Sequence, residues 1–183
     1  MKFLIASDIH GSSLYCRQLL SRYQHEKADK LLLLGDLLYH GPRNKLPEEY
    51  SPQEVISMLN SLKSNIICVR GNCDSEVDQM VLEFPILADY AIVINGKSVI
   101  YMTHGHKYND EQPPTLSVGD ILLCGHTHIP KCTLHKNFVC MNPGSVSIPK
   151  NNSYHGYIIY ENDIFVWKDM DGNIKNQYRL QTK

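Results

Sequence analysis

The stretch FLIASDIHG, residues 3–11, sets the reading of the chain: four apolar residues with an Ile among them, then Ser7, then Asp8, His10 and Gly11. An apolar run this short, stopped by polar residues and glycine, predicts a buried strand rather than a helix. The pattern recurs downstream. Leu31–Leu34 leads into GDLLYHGPRN, Ile66–Val69 into RGNCDSE, Val99–Met102 into THGH, Ile121–Cys124 into GHTH, and Phe138–Met141 into NPGSVS. Ligands of open α/β sheets bind beyond the carboxyl ends of strands, so six polar strand tips imply one shared site. Gly11, Gly35, Gly71, Gly105, Gly125 and Gly144, six of the eleven glycines, lie in these tips, where backbone has to approach closely.

Between the tips the chain alternates. Ser12–Gln24 carries Leu14, Leu19, Leu20 and Tyr23 near helical spacing, with Ser12 or Ser13 as cap. Ser51-Pro52-Gln53-Glu54 opens a second helix with Val55, Ile56, Leu59 and Leu62 as its buried stripe. The early order is therefore β-α-β-α-β. From residue 86 strands dominate, and Ala91–Ile94 with Asn95-Gly96 predicts a hairpin into Val99–Met102. Tyr157–Tyr160 and Ile164–Trp167 predict a closing hairpin, followed by a polar tail from Asp169. A second sheet is expected. Ile86, Leu87 and Tyr90 read as exposed hydrophobes suited to a subunit contact, which leaves a homo-oligomer open.

Composition narrows the function classes. The chain has 183 residues, 43% hydrophobic and 20% charged, one domain's worth of ordinary globular sequence spanning residues 1–183. Lys plus Arg is 18 against 19 Asp plus Glu, a formal net charge of −1, so no global field draws it to nucleic acid or membrane. The N-terminal apolar run is too short for a signal peptide, and the default compartment is the cytoplasm. The six cysteines form no Cys-x-x-Cys pair, so neither a zinc ribbon nor a disulfide framework is expected.

The tips collect Asp8, His10, Asp36, Asn72, His104, His106, His126 and His128, with Asp74 close by. Carboxylate, amide oxygen and imidazole without thiolate suit divalent ions such as Mn²⁺, Fe²⁺ or Zn²⁺. Asp8/His10, His104/His106 and His126/His128 are each spaced i, i+2, which lets both members of a pair converge on one centre. Any one of them alone reads as a turn or surface residue. Five separate tips each delivering a ligand type read as a metal site.

DIH, GD, GNCD, THGH and GHTH, in this order and spacing, resemble the calcineurin-like metallophosphoesterase signature. GDLLYHGPRN, RGNCDSEVDQM and NPGSVSIP are similar to the family's small bacterial YfcE-type phosphodiesterases. The resemblance implies an α/β (α+β) fold, a four-layer αββα sandwich with a dinuclear metal site at the strand ends. It implies that Asp8, His10, Asp36 and His128 hold one ion and that Asp36, Asn72, His104 and His126 hold the other. Asp36 would bridge them, since two close cations need a shared anion. Two divalent ions follow, Mn²⁺ first, with Zn²⁺, Fe²⁺ or Ni²⁺ as options. The implied reaction is hydrolysis of a small phosphodiester by a metal-bridging hydroxide. A phosphomonoesterase on the same site, a non-catalytic metal-binding interaction scaffold, on the fold that a retromer subunit uses as an interaction surface without a competent metal site, and a structural metal protein are the alternatives.

The resemblance leaves four residues to interpret. Cys73 stands where most relatives have a histidine that serves the leaving-group oxygen, and a thiol donates a proton poorly near neutral pH, so substrates with good leaving groups are expected. Asp74 reads as orienting a ligand or catalytic group. His106 reads as a substrate-contacting or supporting residue, or as plain surface. Arg43 is placed in sequence to reach a phosphate, although an exposed loop Arg is the commoner explanation.

Overall fold

The computed structural model describes residues 1–95 and 98–180. In chain order the elements are β1 (Phe3–Ala6), α1 (Ser13–Glu26), β2 (Lys30–Leu33), α2 (Pro52–Asn60), β3 (Ile66–Cys68), α3 (Glu76–Val81), β4 (Tyr90–Asn95) and β5 (Ser98–Thr103). They continue with β6 (Asp120–Leu123), β7 (Lys131–Leu134), β8 (Phe138–Asn142), β9 (Gly156–Glu161), β10 (Ile164–Asp169) and β11 (Ile174–Arg179). The β-α-β-α-β opening forms as the pattern predicts. Ser12 caps α1 by accepting a hydrogen bond from the Tyr15 backbone N–H at 3.3 Å, and Pro52 stands in the first turn of α2.

The strands make two sheets. One has the order β11-β10-β9-β1-β2-β3, with β1, β2 and β3 parallel, and the other the order β4-β5-β6-β8-β7. Alternation sorts the side chains to two sides of the first sheet. Leu4, Ala6, Leu31 and Leu33 pack outward with Cys16 and Leu19 of α1 and Val55 and Leu59 of α2. Phe3, Ile5 and Leu32 pack inward against Ile100, Met102, Ile121, Leu123 and Met141 of the second sheet. The outer face of the second sheet carries a small cluster, Leu122, Cys124 and Cys140, covered by Leu116. The helices thus back one sheet, while the fourth layer is the irregular segment between β5 and β6. The tips of β1, β2, β3, β5 and β6 run to one end of this sandwich.

Several expectations change. The polar tail from Asp169 is strand from Ile174, since β11 pairs with β10 through Phe165↔Tyr178 and its neighbours. It escaped sequence reading because an edge strand exposed along five of its six residues has no apolar alternation to show. β7 is likewise an exposed edge strand of polar pattern. Ile86 is fully buried and Leu87 packs against the outer core cluster, following Leu82 and Phe84 inward after α3, so only Tyr90 of the expected exposed group is exposed. The hairpin of β4 and β5 forms with Asn95↔Ser98 as its last pair, whereas Gly96 of its expected turn lies outside the described residues. All six cysteines are free thiols. Among the described residues no helix is long and apolar enough to cross a membrane.

Candidate metal centre

The tips are built on unusual backbone. Asp8 (φ 60°), His10 (φ 49°), Asp36 (φ 56°), His126 (φ 66°) and His128 (φ 61°) all occupy the left-handed region. Asp and His enter it more readily than branched residues, at a cost on the order of 1 kcal/mol each. Bonds between neighbouring tips offset that strain: the N–H groups of Asp8, His10 and Gly11 donate to the carbonyls of Gly35, Asp36 and Leu37 at 3.1, 2.9 and 2.9 Å. Ser145 and Ser147 of NPGSVS both donate their hydroxyls to the Asp8 carbonyl, at 2.8 and 3.1 Å. Asn142 donates to the Gly125 carbonyl at 2.6 Å and so steadies the GHTH turn. Close approach excludes side chains at two glycines: a Cβ on Gly71 would meet Asp36 Oδ1 at 2.1 Å, and one on Gly125 would meet Ser7 Oγ at 1.9 Å.

Three histidines share one pose. The Nδ1 of His10 lies 2.7 Å from the Tyr39 carbonyl, that of His104 2.7 Å from the Leu34 carbonyl, and that of His128 2.6 Å from the Ile148 carbonyl. A carbonyl only accepts, so each Nδ1 carries a hydrogen and each ring turns its Nε2 inward, as a lone pair whenever the ring is neutral. The Nε2 atoms of His10 and His128 then face each other at 3.3 Å, and His104 Nε2 faces Asn72 Oδ1 at 3.1 Å. Opposed lone pairs at these distances are satisfied by a cation between them.

The carboxylates sit at the same place. Asp8 Oδ1 is 3.4 Å from His128 Nε2 and 3.6 Å from His10 Nε2, while Asp36 Oδ2 is 3.3 Å from His104 Nε2 and 3.7 Å from His10 Nε2. Asp8, His10 and His128 offer ligand atoms within 4.8 Å of one another, as do Asp8, Asp36 and His104, and also His10, Asp36 and Cys73. Asp8 Oδ1 is buried and accepts no hydrogen bond, which in this surrounding marks a ligand atom rather than a structural carboxylate. Oxygen and imidazole donors of this kind fit a divalent ion. The electrostatics agree. Burial pushes Asp8 up, but His10, His104 and His128 outweigh it and hold the carboxyl well below the usual range. Burial lowers His104, yet Asp36 and Asp8 raise it to about 9: the two buried carboxylates call for positive charge, which the imidazolium supplies until a cation takes the place of its Nε2 proton.

The remaining predicted residues fall into distinct places. Asp74 is buried and accepts from the backbone N–H groups of Asp36, Leu37 and Gly71 at 2.8, 2.9 and 2.7 Å, so it ties the tip of β2 to the tip of β3 and positions Asp36. Cys73 donates its backbone N–H to Asp36 Oδ1 at 2.8 Å. Burial and the Asp36 carboxylate push its thiol up to about 12. His126 is half-buried, its ring 5.1 Å from that of His104 between centroids, and its backbone N–H donates to Asp8 Oδ2 at 3.1 Å. His106 lies beside both, 5.4 Å from His104 and 6.2 Å from His126. Arg43 is exposed, without a hydrogen bond or ion pair to the cluster among the described residues. Sequence reading missed the supporting roles of the Tyr39 carbonyl, Asn142, Ser145 and Ser147. The serines and Asn142 lay in a strand tip already singled out, whereas a backbone carbonyl leaves no residue signal.

Comparison with known proteins places this geometry. A family model described as the calcineurin-like phosphoesterase superfamily domain matches residues 1–163. The chain is 46% identical over 164 residues to phosphodiesterase YfcE of Escherichia coli K12, covering 90% of this chain and 89% of that protein. The solved structure of Yfce, a phosphoesterase from E. coli, superposes with a TM-score of 0.96 at 43% identity, covering 99% of this chain and 100% of that one. A Vps29 variant from Entamoeba histolytica, 18% identical over 99% of this chain and 100% of its own, shares the fold with a TM-score of 0.67. The strand-tip motifs, the two-sheet sandwich and the converging carboxylates and imidazoles therefore have one common origin, and the chain belongs to the calcineurin-like phosphoesterase superfamily.

Proposed function

We propose that the chain is a metal-dependent phosphodiesterase acting on small phosphodiesters, with residues 1–183 working as one domain. The observation that carries the reading is the set of inward Nε2 lone pairs around Asp8 and Asp36. Similarity to a phosphodiesterase over nine tenths of the chain supports the diester preference. The extent of the domain is supported by β11, which lies beyond the matched family region and still pairs with β10.

In this reading Asp8, His10, Asp36 and His128 would hold one ion, and Asp36, Asn72, His104 and His126 would hold a second, with Asp36 shared. Two divalent ions of the Mn²⁺ type bound there would supply Lewis acidity and an activated water as nucleophile. The chain's own work is positioning. The Tyr39, Leu34 and Ile148 carbonyls fix three imidazoles in the metal-binding tautomer, and Asp74 holds the Asp36 backbone in its strained conformation. Cys73, held near Asp36 as a neutral thiol, is a weak donor to a departing alkoxide, which favours esters that leave without a proton, such as aryl esters. His106 and Arg43 are left to contact the ester groups. Six free thiols fit a reducing compartment, which supports the cytoplasm.

The test is to strip the protein with chelator, restore Mn²⁺, and compare initial rates on an aryl phosphodiester and the matching monoester. Metal-dependent hydrolysis with the diester faster is the expected result. A faster monoester would make the protein a phosphatase, and bound metal with neither ester hydrolysed would leave a scaffold.

A further inference from the structure

One donor beside the metal centre belongs to neither ligand set. Among the described residues, five of the six thiols are taken up by packing: Cys16 and Cys68 lie in the outer core cluster, Cys124 and Cys140 pack with Leu116, and Cys132 packs against the core between the sheets. Cys73 is the exception. It sits half-buried just past β3, and its Sγ lies within 4.8 Å of a ligand atom of His10 and of Asp36, which are themselves that close to each other.

The sulfur is held there by its neighbours. Asn72 Nδ2 donates to it at 3.2 Å, and the Cys73 backbone N–H donates to Asp36 Oδ1 at 2.8 Å, which fixes the residue against the carboxylate. Gly41 closes another side, since a Cβ at that position would stand 3.2 Å from Sγ. Beside the same His10 lies Asp8 Oδ1, 3.6 Å from its Nε2, fully buried and without a hydrogen bond. A buried carboxylate oxygen with no donor, inward imidazole nitrogens and a sulfur in reach make a donor set with hard, borderline and soft members.

On the reading of these residues as a metal centre, we propose that Cys73 is a ligand for thiophilic divalent ions: Zn²⁺ held by Asp8, His10, Asp36 and His128 also takes the Cys73 thiolate, whereas Mn²⁺ at the same place leaves the thiol protonated. Thiolate is the soft donor that separates Zn²⁺ from Mn²⁺, whose preference is for carboxylate and other oxygen donors. Nothing is oxidised or reduced. The Zn–S bond forms from a sulfur lone pair and the thiol proton passes to solvent, because coordination deprotonates a thiol outright. Asn72 serves both sides of the site, with Oδ1 toward His104 and Nδ2–H on the sulfur, where a donor stabilises the charge a bound thiolate keeps. An ion that draws the sulfur in is held by one donor more than an ion that does not, so Cys73 makes the centre discriminate between metals.

X-ray absorption at the zinc edge, on the full-length protein loaded with two equivalents of Zn²⁺, reads the bond directly. The expected result is a sulfur neighbour at about 2.3 Å, about half a sulfur per zinc, beside nitrogen and oxygen neighbours at about 2.0–2.2 Å. Cys73→Ala is expected to lose the sulfur, to weaken Zn²⁺ binding at least ~10-fold in competition with a chelating dye, and to leave Mn²⁺ affinity within about threefold. Cys132→Ala removes the other half-buried thiol and is expected to keep the sulfur and both affinities. Stoichiometric zinc with nitrogen and oxygen neighbours alone, a sulfur neighbour that survives Cys73→Ala, or equal losses of Zn²⁺ and Mn²⁺ affinity in that variant would each overturn the role of Cys73 and leave the metal centre standing. A wild-type protein that binds neither ion would overturn both.

Discussion

Asp74 touches none of the imidazoles and yet holds the centre together, because its two oxygens collect three backbone N–H groups from two strand tips. Asp74→Ala leaves those donors buried and unpaired. It is expected to weaken metal binding about 10–100-fold, measured by titration calorimetry with Mn²⁺. Asp36→Asn is expected to lower kcat on an aryl diester by at least about 10²-fold with the circular dichroism spectrum retained; full activity would remove Asp36 from its bridging role. Cys73→His restores a donor suited to neutral pH and is expected to raise rates on alkyl esters more than on aryl esters, and an unchanged substrate profile would count against the leaving-group argument. The candidate ligands were legible in the sequence because metal chemistry needs particular side chains at strand ends. The carbonyls that set their tautomers were not, since any residue supplies a carbonyl.

At the scale of elements, legibility followed burial. The six strands that lead into the site are buried runs between polar punctuation, and each was readable to within a residue or so of its ends. β7 and β11 were not, because edge strands facing water have no apolar period. The six-residue α3 is held by the Ser75–Asp78 capping box and buries none of its residues, so it offers no stripe to read. Junctions between elements carry the tightest constraint. At Gly71 the tip of β3 presses on Asp36, and any Cβ displaces the carboxylate or the β2 tip. Gly71→Ala is expected to cost about 2 kcal/mol or more in urea unfolding and to impair metal binding with it, whereas an alanine that preserved both would show that the tips give way.

For the molecule as a whole, a half-buried acid helps tie the helix layer to the first sheet. Glu26 of α1 accepts from Lys168 Nζ at 2.7 Å and from the Tyr157 hydroxyl at 3.0 Å. Burial pushes its carboxyl up, but Lys168, Tyr157 and Lys2 outweigh it and leave the pKa below the ordinary 4.5. A depressed acid stabilises the fold above its unfolded pKa, and that contribution is lost as pH falls from 4.5 through the lower native value. Glu26→Gln is therefore expected to destabilise by on the order of 1 kcal/mol at neutral pH, with the gap to wild type closing in acid. Urea midpoints across that range would check it.

The facing lone pairs of His10 and His128 also make the fold itself an instrument. An ion that binds only the native arrangement raises its stability by about 2.7 kcal/mol at a hundredfold excess over Kd, whatever the substrate. Melting temperatures of the chelated protein with Mn²⁺, Zn²⁺, Fe²⁺ and Ni²⁺ added singly would therefore rank these ions by affinity, and the calorimeter would read the preferred ion before any ester had been found.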